Sequence, residues 1–131
     1  MNPFLAVGAV AVGGALGSVM RYVVSNWFSH RFGPGFPWGT FAINVSGAFV
    51  IGVVLELATT RAGFNPYMRL FMATGILGGY TTFSTFAFET YLLGADGLPL
   101  QSLAYAGGSV IVGLAATLLG VVLVRFVASV A

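Results

Sequence analysis

Residues 75–90 read GILGGYTTFSTFAFET, so two adjacent glycines are followed directly by a run of hydroxyl and aromatic residues. Glycine and β-branched residues both disfavour the middle of a helix. The run nevertheless lies inside an apolar stretch, 67–93, where lipid offers no partner to an unpaired backbone group. Broken helices are tolerated there only when protein buries them or when they line a site, where their carbonyl and N–H groups hold ions. The sequence therefore predicts a third span that is broken in mid-membrane and forms an ion site, with a continuous helix as the alternative.

The composition excludes an ordinary soluble domain. Of 131 residues, 58% are hydrophobic and only 6% are charged, and the mean hydropathy is +0.98. With no Cys and one His, the chain has no disulfide, thiol nucleophile or cysteine zinc site. A formal net charge of +2 gives no support to nucleic-acid binding. The apolar N-terminal run carries no basic side chain, so we expect a retained membrane span rather than a signal peptide.

Four apolar windows are each long enough to cross a membrane as a helix. They cover about 4–27, 38–59, 67–93 and 100–127, and the connections between them are rich in Gly and Pro. We therefore expect an all-α membrane protein whose residues 1–131 form one four-helix transmembrane domain. The arginines give a weak orientation signal, since three fall on one side and one or two on the other. Either the chain slightly prefers one orientation, or copies insert both ways and pair antiparallel, which would enclose a pathway.

The first span carries small residues and an arginine on one face. Gly13, Gly17 and Arg21 recur every four residues. Small residues at this spacing let helix backbones approach closely. Arg21 either extends to the lipid headgroups, or faces a wet vestibule or a carboxylate, where it would attract an anion.

The second span carries a polar stripe. Thr40, Asn44 and Gly47 fall at positions i, i+4 and i+7 of an otherwise apolar helix. Asn44 either hydrogen-bonds a neighbouring helix or directs its amide N–H groups into a pathway. Glu56 lies near the far end of this span, and we expect it to reach the headgroups.

Aromatic residues stand among the hydroxyl groups of the third span. Phe83 and Phe86 are three residues apart and project from neighbouring parts of one helix face. Because a phenyl ring has a positive edge, such edges can line the path of a small anion. Glu89 either forms hydrogen bonds at the helix end or pairs with an arginine, and the ion pair is the preferred interpretation. In the fourth span, Ser109 is the best candidate for a hydroxyl that faces the pathway, with back-bonding as the alternative.

The chain resembles the Fluc/CrcB fluoride channels. The matching segments are GGALGSVMR at 13–21, GTFAINVSGAFVIG at 39–52 and GILGGYTTFSTFAFE at 75–89. Their order and spacing agree over essentially the whole chain, and the third segment is highly specific. The fourth span matches only loosely, through GGS at 107–109.

The resemblance implies a dual-topology antiparallel homodimer in the bacterial inner membrane that exports fluoride passively through two pores. It implies a central structural Na⁺ bound by the backbone carbonyls of Gly78 and Thr81, and no organic cofactor. Arg21 and Glu89 match recurrent positions as vestibule or structural polar residues. The positions that match the pore and the fluoride pathway are Asn44, Phe83, Phe86, Thr40, Ser84, Thr85 and Ser109.

Two other classes of protein compete with a channel. A non-transporting assembly subunit of a membrane complex would show no flux when purified alone. A small multidrug exporter would need a carboxylate in the first span, which has none. An enzyme is not expected, because His30 and Asp96 lie in different loops with no nucleophile beside either.

Overall fold

The computed structural model describes residues 1–61 and 63–130, and over these residues the regular structure is entirely helical. In chain order the elements are α1 (Pro3–Phe32), α2 (Trp38–Thr60), α3 (Pro66–Arg69), a π-helical segment (Leu70–Leu77), α4 (Gly78–Tyr80), α5 (Phe83–Ala95) and α6 (Pro99–Val130). The helices α1, α2 and α6 are each long and apolar enough to cross a membrane. The elements α3 to α5 form a fourth, interrupted helical region, which confirms the all-α class and the break in the third span.

The first helix is longer than the sequence pattern predicts. It has 30 residues, because Asn2 caps it through a 2.9 Å bond from the Phe4 N–H and Pro3 occupies its first position. It continues until Gly33, whose φ of 73° lies in the left-handed region that ends helices. The last helix likewise extends beyond its apolar core to 32 residues.

Glycines bring α1 against the third span, as their spacing predicts. A Cβ atom at Gly13 would lie 2.5 Å from the carbonyl oxygen of Phe71, and one at Gly17 would collide with the Ile76 carbonyl. A Cβ atom at Gly79 would collide with the backbone of Gly14 in the same way. The two elements therefore pack backbone to backbone, which fixes the π-helical segment and α4 on α1.

The helices α2 and α6 form the most extensive helix–helix contact of the described residues. Gly52 packs on the Thr117 backbone, and the Thr117 hydroxyl donates to the Ala48 carbonyl at 3.0 Å. The largest fully buried side chains, Ile43 and Tyr105, belong to these same two helices. Large apolar side chains cover the outer surface, as expected for a protein that faces lipid or a second copy.

Glu56 forms an ion pair with an arginine of α6. Its carboxylate faces α6, where Oε1 accepts from Arg125 Nε at 2.7 Å, in the only ion pair among residues 1–61 and 63–130. The side chain of Glu56 is 12% exposed, so it is screened from the surface, while Arg125 remains 68% exposed. The close packing of α2 on α6 places the acid of one helix beside the base of the other.

Candidate functional site

The break in the third span lies at two threonines, not at the glycines. Gly78 and Gly79 keep helical geometry in α4, whereas Thr81 and Thr82 are extended, with ψ angles of 156° and 112°. Gly79 stays helical because it packs on α1, and Thr82 restarts the helix because it is a good N-cap. Its hydroxyl accepts from the Thr85 N–H at 3.3 Å.

The amide of Asn44 bridges this break. Its Oδ1 accepts from the Thr82 N–H at 2.8 Å, and its Nδ2 donates to the Thr82 carbonyl at 3.0 Å. Thr82 is only 7% exposed, so the bond to Oδ1 replaces the helical acceptor that the break removes from its N–H, and the bond from Nδ2 is an additional one to its carbonyl. Asn44 therefore joins two helices, and a second N–H on Nδ2 remains for the cleft that this residue also lines.

The break also frees the carbonyls of Gly78 and Thr81. In a continuous helix these oxygens would accept from the N–H groups of Thr82 and Thr85. Those two N–H groups donate instead to the side chains of Asn44 and Thr82. Carbonyls at the end of a helical run carry partial negative charge, and both residues line the same cleft.

These oxygens fit the chemistry of a monovalent cation. No group of three or more metal-ligating His, Cys, Asp or Glu residues occurs within the described part of the chain. A cation at the break would therefore rest on backbone oxygens, which is how discontinuous membrane helices coordinate Na⁺. Because the N–H groups of Thr82 and Thr85 donate to side chains, the carbonyl oxygens of Gly78 and Thr81 are left suitable for binding a cation.

A cleft of about 400 Å³ opens beside the break, between α2, α6 and the two halves of the third span. The rings of Phe83 and Phe86 lie on it with centroids 5.7 Å apart. Phe83 is 79% exposed, and the hydroxyl oxygen of Ser109 is buried with no hydrogen-bond partner in the described residues. The cleft brings together these predicted site residues: Asn44, Gly78, Thr81, Phe83, Phe86 and Ser109.

A polar cluster lies next to the cleft and corrects the interpretation of Glu89. Its carboxylate accepts from the Thr40 hydroxyl at 2.9 Å and from the Tyr105 hydroxyl at 2.7 Å. The preferred ion pair with an arginine is therefore wrong within this chain, because two buried hydroxyls take both carboxylate oxygens. Tyr105 is 1% exposed, and its ring lies 5.3 Å from that of Phe86, which connects the cluster to the cleft.

Tyr105 belongs to this cluster although the sequence patterns did not place it among the site residues. A tyrosine within an apolar span must find a partner for its hydroxyl, and Glu89 is the acid that the broken third span carries. This requirement is the signal in the sequence that could have joined the two residues.

The remaining predicted residues lie outside the cleft. Arg21 lines a second cavity of about 310 Å³ together with Thr40 and Thr85, so it faces polar groups rather than only lipid. Ser84 is exposed on α5 and lines neither cavity. The single chain therefore does not bring Ser84 to the other site residues.

A broken apolar span, free carbonyls and a cleft lined by polar groups are typical of membrane proteins that bind or conduct ions. Residues 8–121 match the family described as "CrcB-like protein, Camphor Resistance (CrcB)". The chain belongs to this CrcB family.

Curated relatives match nearly the whole chain. The "Fluoride-specific ion channel FluC" of Rhizobium meliloti strain 1021 is 47% identical over 125 residues, which cover 95% of this chain and 98% of the relative. The proteins of the same name from Agrobacterium fabrum and Chloroflexus aurantiacus are each 44% identical, over 91% and 90% of this chain and 95% and 94% of their own lengths. The relatives carry the name of an ion channel, which is a class of transport protein and not of enzyme, and this confirms the expectation of a non-enzymatic family. Family and apolar helices together identify a multi-pass protein of the bacterial inner membrane.

Proposed function

We propose that this protein is a passive, fluoride-selective ion channel that exports F⁻ from the cytoplasm. The observation that carries the proposal is the cleft beside the break, where amide, hydroxyl and phenyl groups meet. The name of the relatives, fluoride-specific ion channel, supports the choice of ion. No nucleotide-binding motif occurs in the sequence, which supports passive transport down the fluoride gradient.

The residues of the cleft suit a small anion that holds its water strongly. A pore must replace the hydration shell with many donors while binding weakly enough to release the ion. The free N–H of Asn44 and the unpartnered hydroxyl of Ser109 are such donors. The edges of the Phe83 and Phe86 rings add positive potential without a fixed charge that would trap the ion.

The proposed channel is an antiparallel dual-topology homodimer, with one four-helix domain per chain and two pores. The cleft is open on one side and Phe83 is 79% exposed, so a second copy is needed to enclose a pathway. Ser84 and Thr85 are exposed on the same helix and would join the pathway from such a copy. A structural Na⁺ would rest on the carbonyls of Gly78 and Thr81, where it would neutralise them and raise the potential for an anion.

Gly78→Val tests the dimer. A Cβ atom at Gly78 would meet no atom within 4 Å, so the single chain has room for a side chain to begin at this position. We expect this variant to stay folded and lose the dimer, because its side chain would project to the face that carries the proposed Na⁺. A dimer of unchanged stability, measured by cross-linking in detergent, would contradict this arrangement.

The function itself is tested by fluoride efflux from liposomes that contain the purified protein, followed with a fluoride electrode. Rapid loss of fluoride with little loss of chloride from the same liposomes is the expected result. Absence of flux from a folded, correctly reconstituted dimer would refute the channel and favour the assembly subunit.

A further inference from the structure

We propose that Gly47 is a positioning residue for the cation site, because it provides the notch that holds the Thr81 side chain. The proposal rests on the Na⁺ site of the proposed function. A Cβ atom at Gly47 would collide with the Thr81 Cγ2 methyl group and would lie 3.5 Å from the Tyr80 ring. The methyl group therefore occupies the space that only glycine leaves open on α2.

The other bonds of Thr81 prevent its side chain from turning away. Its N–H donates to the Leu77 carbonyl at 3.0 Å, and its hydroxyl donates to the same carbonyl at 2.9 Å. A β-branched side chain has few χ1 rotamers, and the hydroxyl bond selects one of them. With the hydroxyl fixed, the methyl group must point at Gly47. An alanine at 47 would therefore break the hydroxyl bond or displace the backbone of Thr81.

The position of Thr81 matters because its carbonyl is one of the two freed by the break. Gly47 lies three residues after Asn44, so the two contact the break from one face of α2. Asn44 holds the backbone of Thr82 by hydrogen bonds, and Gly47 leaves the space in which the Thr81 methyl group lies. A residue that orients ligands without touching the ion changes metal affinity when it is replaced, typically by about 10–100-fold.

The test is the thermal unfolding midpoint of the purified dimer, titrated with NaCl while N-methylglucamine chloride keeps the ionic strength constant. Gly47→Ala should raise the Na⁺ concentration at half-effect by at least about tenfold. Thr81→Ser removes only the methyl group and keeps the hydroxyl and the carbonyl. The double variant Gly47→Ala, Thr81→Ser should therefore recover the Na⁺ response of the wild type, whereas Thr81→Ser alone should change it little.

Each outcome decides the proposal. A Gly47→Ala variant with wild-type Na⁺ response overturns it, and so does a double variant no better than Gly47→Ala. If Gly47→Ala does not assemble at all, the double variant carries the test, since its Na⁺-dependent stability supports the proposal and its failure refutes it. A wild-type protein that shows no Na⁺ response refutes the cation site itself, and fluoride efflux then reports separately whether the channel assignment survives.

Discussion

Replacing Asn44 with leucine removes the amide group through which α2 hydrogen-bonds the backbone of Thr82 at the break. The Thr82 N–H, in a residue that is 7% exposed, loses its 2.8 Å acceptor, and a buried donor without a partner costs about 1–3 kcal/mol. The Thr82 carbonyl loses only one of two bonds, since an N-cap carbonyl also accepts the first bond of its helix, so this part costs about 0.5–1.5 kcal/mol. The sum is about 1.5–4.5 kcal/mol. Because interhelical bonds in membranes average about 0.6 kcal/mol, we expect a value near the lower end.

The assay is unfolding by SDS in mixed micelles, followed by the fluorescence of the two tryptophans. Thr117→Val is the matched control, because it removes a 3.0 Å interhelical bond to the Ala48 carbonyl but leaves no N–H unpaired. It should cost less than about 1 kcal/mol. If Asn44→Leu is no less stable than Thr117→Val, the amide does not hold the break.

Three further sets of substitutions test the cleft, the polar cluster and the helix packing. Phe83→Ile and Phe86→Ile should each slow fluoride efflux by up to about tenfold, which corresponds to a rise of about 1.4 kcal/mol in the free-energy barrier to permeation. The dimer should stay intact in both variants, and unchanged flux in both would exclude a role for the rings. Tyr105→Phe removes the 2.7 Å donor to Glu89 and should lower the free energy of unfolding by about 1–3 kcal/mol. Gly17→Ala drives a Cβ atom into the third span and should cost about 1–3 kcal/mol, whereas Gly8→Ala, with no atom within 4 Å, should cost nothing measurable.

The sequence predicted the helices and the existence of the break because both follow from local composition. The apolar windows fix the spans, and a run of Gly and Thr residues in lipid indicates an interruption. The exact position of the break does not follow from local composition. Gly78 and Gly79 have the weakest helix preference, yet Gly79 stays helical through its contact with Gly14. Propensity therefore located the break to within a few residues, and packing against α1 decided which residues are extended.

The partners of the acidic residues could not be predicted in the same way. Glu56 and Glu89 both lie on helices whose relative rotation is unknown from one sequence. In the structure, the orientation of α2 places Glu56 beside Arg125, and the orientation of α5 places Glu89 beside the hydroxyl groups of Thr40 and Tyr105. Helical periodicity places residues on a face, but it does not state which neighbouring helix that face meets. The cleft itself was predicted as a set of residues through the family resemblance, and the structure adds that six of them share one surface.

The polar stripe of α2 serves the fold of the break as well as the cleft beside it. Asn44 lines the cleft, but its amide also holds the backbone from which the carbonyls of Gly78 and Thr81 project. If an Asn44 variant loses fluoride flux, the loss would therefore have two causes, the missing N–H donor in the cleft and the displaced backbone of the break. The Phe83 and Phe86 side chains line the same cleft without a hydrogen bond to the break, since a phenyl ring has no donor or acceptor for one. Their substitution is consequently the cleaner measure of what the pathway requires, and the stability of each Asn44 variant must be known before its flux is interpreted.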